Sequence, residues 1–166
     1  MTAQTLLGAI LLLPLLVALG VVLTGRHPNL RDALTVGGGV VLFALVAALA
    51  DALDSGAVPT LLLAEPVAGL ALQLTPEPLG LMFALIASLL WPVTSVYAIG
   101  YMRGNNEDNQ TRFYAAFAIS IGAAMGIALA GNLFTLFVFY EILSIATYPL
   151  VTHAGTDKAR QAGRLY

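Results

Sequence analysis

The side chain best suited to do chemistry is Glu141, set in the run Leu133-Phe134-Thr135-Leu136-Phe137-Val138-Phe139-Tyr140-Glu141-Ile142-Leu143. A helix starting after Asn132 rises ~1.5 Å per residue, so Glu141 lies about 13.5 Å in, near the middle of a ~30 Å hydrocarbon layer. An acid at that depth costs about 2.5 kcal/mol or more and is a functional residue by default. Low-dielectric surroundings penalise a carboxylate's charge, which suits a carboxyl to carrying protons. Ser144, Tyr148 and Thr152 follow at i+3, i+7 and i+11, within about 60° of Glu141 on a helix. Phe137 and Phe134 continue the same face in the other direction. A stripe polar on one half and apolar on the other fits a proton half-channel, with the three hydroxyls as relay. Pro149 removes a backbone donor and frees the carbonyl of Ile145, marking a helix hinge beside the stripe. His153 falls at the inner membrane edge, where an imidazole, the side-chain type that changes charge nearest neutral pH, suits the loading of protons.

Those side chains need a membrane element to hold them, and the composition supplies it. Of 166 residues, 59% are hydrophobic and 10% charged, where an average soluble domain carries about 25% charged residues. The apolar residues gather into runs long enough to cross a bilayer. The expected fold is an all-α integral membrane protein with five transmembrane helices, at about 6–24, 33–53, 79–101, 112–130 and 133–152. Pro and Glu interrupt 57–78, where Leu70-Ala71-Leu72-Gln73-Leu74-Thr75 partly alternates, so an extracytoplasmic loop or small β-hairpin is expected there. The tail 154–166 is polar and reads as the opening of a further helix.

If five spans alternate, Arg26, Arg31, Arg103, Arg112, Lys158, Arg160 and Arg164 all fall on one side. By the positive-inside rule that side is cytoplasmic, with the N-terminus outside and the C-terminus cytoplasmic in the cell inner (plasma) membrane. No basic residue precedes the first apolar run, which therefore reads as a retained span and not a signal peptide. Gly122, Gly126 and Ala130 form a small-residue ridge that admits a neighbouring helix. The fifth span, joined by the Gly131-Asn132 turn, is the expected partner, and that packing would enclose Glu141 within protein.

Several chemistries are excluded or disfavoured. Cysteine is absent, which removes disulfides, thiol nucleophiles and Cys-ligated clusters. A net charge of −2 gives no basic face for nucleic acid. No metal site is expected, because no His or second acid shares a helical face with Glu141. Gly37-Gly38-Gly39 lacks the Lys-Ser/Thr of a phosphate loop and sits at membrane depth. No cofactor is expected, and whether the chain takes part in enzymatic turnover is left open. No span carries a Lys or Arg near its centre, so a cationic partner for Glu141 must come from water or from another segment.

The run from Gly131 to Ser144 closely resembles the fifth helix of the antiporter-like subunit family. That family includes the D-type subunit of Mrp multisubunit cation/proton antiporters. It also includes ion-pumping subunits of membrane-bound hydrogenase and of respiratory NADH:quinone oxidoreductase. Ala146-Thr147-Tyr148-Pro149-Leu150-Val151-Thr152-His153, Ala98-Ile99-Gly100-Tyr101-Met102 and Pro78-Leu79-Gly80-Leu81 are similar to the same family. The resemblance implies that Glu141 is the helix-five glutamate, which works with lysines on later helices. It implies a fold of about fourteen helices with two inverted five-helix repeats, the first beginning at the fourth helix. Residues 1–166 then form a single membrane region: three leading helices followed by the first two of an inverted repeat.

The function so implied is that of a proton-translocating membrane subunit of a multisubunit monovalent cation (Na+)/proton antiporter. Its partners would be other membrane subunits of the same complex, H+, Na+ and the lipid bilayer. One alternative is a proton-pumping subunit of a respiratory NADH:quinone oxidoreductase or a membrane-bound hydrogenase. An alternative of another class is an inactive or structural N-terminal fragment.

Overall fold

The computed structural model describes residues 2–56 and 59–165; Ala57 and Val58, which open the expected 57–78 loop, and Tyr166 of the tail lie outside the described residues. Five long apolar helices make up most of it: α1 (Ala3–Leu23), α2 (Pro28–Asp54), α3 (Pro78–Gly104), α4 (Gln110–Ala128) and α5 (Leu133–Val151). Each is long and apolar enough to cross a membrane. The chain is a multi-pass membrane protein.

The helices start where side chains can serve the first turn. Thr2 accepts a hydrogen bond from the Thr5 amide at 3.2 Å, and Asn132 does the same for Thr135 at 2.8 Å. Pro28 and Pro78 open α2 and α3, positions where a missing N–H costs nothing. Pro28 is also why α2 begins five residues before the span expected at 33–53. The expected loop charges Arg31 and Asp32 are thereby drawn into the helix and buried.

α1, α2, α3 and α4 close a ring, α1 packing on α2 and α4 and α3 on α2 and α4, while α5 lies outside it against α4. Leu7, Ile10, Leu42, Leu49, Trp91, Tyr114 and Met125 fill the ring's interior. Pro92 of α3 abuts Gly39 of α2, where a Cβ would overlap the proline ring.

The expected hairpin forms. β1 (Leu61–Val67) pairs antiparallel with β2 (Leu70–Leu74), turning at Gly69 with φ 85°. The hairpin is fastened to the α4–α5 turn. The Thr75 amide donates to the Leu129 carbonyl at 3.0 Å and the Gly131 amide to the Gln73 carbonyl at 2.9 Å. Asn132 Nδ2 donates to the Ala71 carbonyl at 2.7 Å, and the Gln73 amide to Thr135 Oγ1 at 2.9 Å. At the opposite end, a short polar helix α6 (Asp157–Leu165) leans back on α5, its Gly163 against Thr152 and Tyr148.

Candidate functional site along α5 and the basic end of the bundle

The orientation of α5 is set by one close contact. Phe139 lies over Gly126 of α4, where a Cβ would overlap the ring. Thr135 and Ala146, both buried, lie on the same side of α5 as Phe139. Successive helical residues turn about 100°, so Glu141, two residues on, points about 160° away from Phe139. Its side chain is exposed, and it has no hydrogen-bond or ion-pair partner among the described residues. The sequence expectation that packing on α4 would enclose Glu141 is therefore corrected. The fourth and fifth helices do pack together, but the ridge divides its partners, Gly122 meeting Pro14 of α1 and Gly126 meeting Phe139.

The stripe continues along α5 through Ser144 to Tyr148 and Thr152, which lie against Gly163 of α6. The Ser144 hydroxyl donates to the Tyr140 carbonyl at 3.1 Å, and that of Thr152 to the Tyr148 carbonyl at 3.0 Å. Each hydroxyl is thus engaged as a donor one turn back and keeps its lone pairs as acceptors. Tyr148 is 47% exposed. α5 remains helical through Pro149 to Val151. His153 stands edge-on to Phe113 with ring centroids 5.3 Å apart, and both its ring nitrogens are buried without a partner among the described residues. Its carbonyl accepts from Arg112 Nη2 at 3.4 Å. Along its N-terminal half, α5 offers an apolar groove of Leu133, Phe134, Leu136, Phe137 and Tyr140.

A second polar centre escaped the sequence reading. Asp32 sits between two arginines: Arg31 Nε donates to Oδ1 at 2.9 Å and Arg103 Nε to Oδ2 at 2.8 Å. Arg31 Nη2 also donates to Gln110 Oε1 at 2.8 Å, and its guanidinium lies 5.0 Å from the Tyr114 ring centroid. Arg103 Nη2 donates to Asn29 Oδ1 at 2.9 Å. The cluster ties α2, α3 and the start of α4 together below a cavity of about 590 Å³ lined by Asn29, Arg31, Arg103, Asn106, Glu107 and Gln110. The signal for it was present: an adjacent Arg-Asp pair opening one span and an Arg closing another on the same side.

The comparisons bear on what such an arrangement serves. No family model matches the chain. It is 36% identical over 124 residues to NADH-quinone oxidoreductase subunit N of Desulforudis audaxviator (strain MP104C), covering 68% of this chain and 25% of that protein. It is 30% identical over 87 residues to Na(+)/H(+) antiporter subunit A1 of Staphylococcus aureus (strain bovine RF122 / ET3-1), covering 52% of this chain and 11% of that one.

The chain is homologous to the antiporter-like membrane subunits.

It spans a quarter or less of the length of these curated relatives. The fold agrees with that of a chain in a solved complex, the membrane-bound sulfane sulfur reductase, an archaeal respiratory membrane complex. The superposition has a TM-score of 0.71 at 22% identity, covering 86% of this chain and 22% of that one. Among the five membrane-length helices α5 is the least covered, 11% buried against 44% for α4, and Glu141 lies midway along it.

Proposed function

We propose that the chain is the proton-handling N-terminal region of a membrane subunit in a multisubunit Na+/proton antiporter, with Glu141 as proton carrier. The observation that carries this reading is a carboxyl midway along a membrane-length helix, exposed and without a partner among the described residues. An acid is tolerated at that depth where it faces a bundle interior or a hydrated cavity, so the uncovered face of α5 is read as the inner wall of a larger assembly. α1 to α3 would be leading helices, and α4 and α5 the first pair of an inverted repeat. Ser144, Tyr148, Thr152 and His153 would conduct protons between Glu141 and the basic end, with Pro149 softening the helix between them. The basic residues gathered at the α1–α2, α3–α4 and α5–α6 connections support a cytoplasmic placement of that end, with the N-terminus outside.

The test is Glu141→Gln in the assembled complex. Na+-coupled proton movement in everted vesicles is expected to be lost while the subunit still inserts and assembles. Parental activity in that variant overturns the proposal.

A second reading is supported by the longer and more identical match to subunit N than to subunit A1. In it the same region serves a redox-driven proton pump whose electron carriers sit in partner subunits. NADH-dependent acidification of vesicles that survives Na+ removal favours the pump, and a pH gradient collapsed by added Na+ without a reductant favours the antiporter.

A further inference from the structure

At the basic end, α4, α5 and α6 enclose a cavity of about 330 Å³ lined by Arg112, Tyr148, Thr152, Gly155 and Arg164. The volume falls within the ~300–1,000 Å³ of ordinary ligand sites. Two guanidinium-bearing residues from different elements line it together, and no carboxylate is among its described lining residues. Neither arginine forms an ion pair among the described residues; the 3.4 Å bond from Arg112 to the His153 carbonyl is its one protein hydrogen bond there. Two uncompensated arginines beside the Tyr148 hydroxyl favour an anion, and a planar guanidinium fork matches phosphate oxygens in a bidentate manner. The position narrows the source. Tyr148 and Thr152 stand at the end of a membrane-length helix, and α6 is a polar helix folded against that end, so the cavity opens at the depth where headgroups lie. Basic pockets at such a level are where anionic lipid headgroups bind.

We propose that this cavity binds the phosphate group of an anionic phospholipid, held by Arg112 and Arg164 with the Tyr148 hydroxyl as a supporting donor. Lipid in the site would brace α6 against α4 and α5. The inference is independent of Glu141, which lies outside the cavity lining.

The full chain in mild detergent is titrated in parallel with phosphatidylglycerol, phosphatidylcholine and inorganic phosphate, and followed by thermal unfolding and native mass spectrometry. Phosphatidylglycerol is expected to raise the unfolding temperature and remain bound, and phosphatidylcholine is not. The double variant Arg112→Gln/Arg164→Gln should weaken phosphatidylglycerol binding by about tenfold or more. Arg112→Lys/Arg164→Lys should retain most of it, which separates lost charge from lost folding. Equal binding of the two lipids, or unchanged binding in the Gln variant, overturns the proposal. Protection by inorganic phosphate that matches that of phosphatidylglycerol overturns the assignment to lipid.

Discussion

Phe139 of α5 rests on Gly126 of α4 with no room for a Cβ between them, and this contact turns Glu141 to the far side of α5. Gly126→Val should therefore cost about 1–3 kcal/mol through overpacking, read as a lower unfolding temperature in detergent. Phe139→Ala in the same background should recover part of the loss, because the ring is what the new side chain strikes. Two independent, additive losses would show that the contact does not govern the pairing.

Asp32 neutralises Arg31, and both side chains are about 95% buried. Asp32→Asn leaves the Arg31 charge uncompensated and is expected to cost about 3–5 kcal/mol. Arg103→Gln should cost much less, about 1 kcal/mol, because 43% of the Arg103 side chain reaches solvent. Chemical denaturation of the two variants side by side checks the ranking, which matters more than either value.

Asn132 caps α5 through the Thr135 amide and reaches the hairpin through the Ala71 carbonyl. Asn132→Ala should cost about 1 kcal/mol and raise hydrogen exchange both in the first turn of α5 and in β2. Exchange confined to α5 would mean that the hairpin is held by its other bonds alone.

Tyr148 lines the cavity at the basic end, whereas the Ser144 hydroxyl is engaged with the Tyr140 carbonyl. If the stripe conducts protons, Tyr148→Phe should slow transport by about tenfold and Ser144→Ala by less than that, since a lost proton relay costs rate where the hydroxyl was free to exchange. Initial rates of pH-gradient dissipation in vesicles containing the assembled complex decide between them.

The five helices and the hairpin were legible in the sequence because hydropathy and proline placement act locally. The expected 33–53 span falls short of α2, since Arg31 and Asp32 look like loop residues until their ion pair and the bond from Arg103 to Asp32 are known, and Arg103 lies more than seventy residues away. The direction of Glu141 was not legible. α5 is apolar nearly all round, so its periodicity does not say which side meets α4. That choice rests on the fit of an aromatic ring into a glycine notch, a long-range property of shape. The polar stripe from Glu141 to Thr152 follows from helical spacing alone, and what it does depends on neighbours beyond α4 and α6.

The bonds between the hairpin and the Gly131-Asn132 turn have a mechanical corollary. With β2 stitched to the top of both helices, α4 and α5 are joined like the arms of tweezers at their hinge. Any separation of the two arms must widen toward the arginine-rich tips, so a transient aqueous passage beside α5 would gape there first while the hinge stays shut.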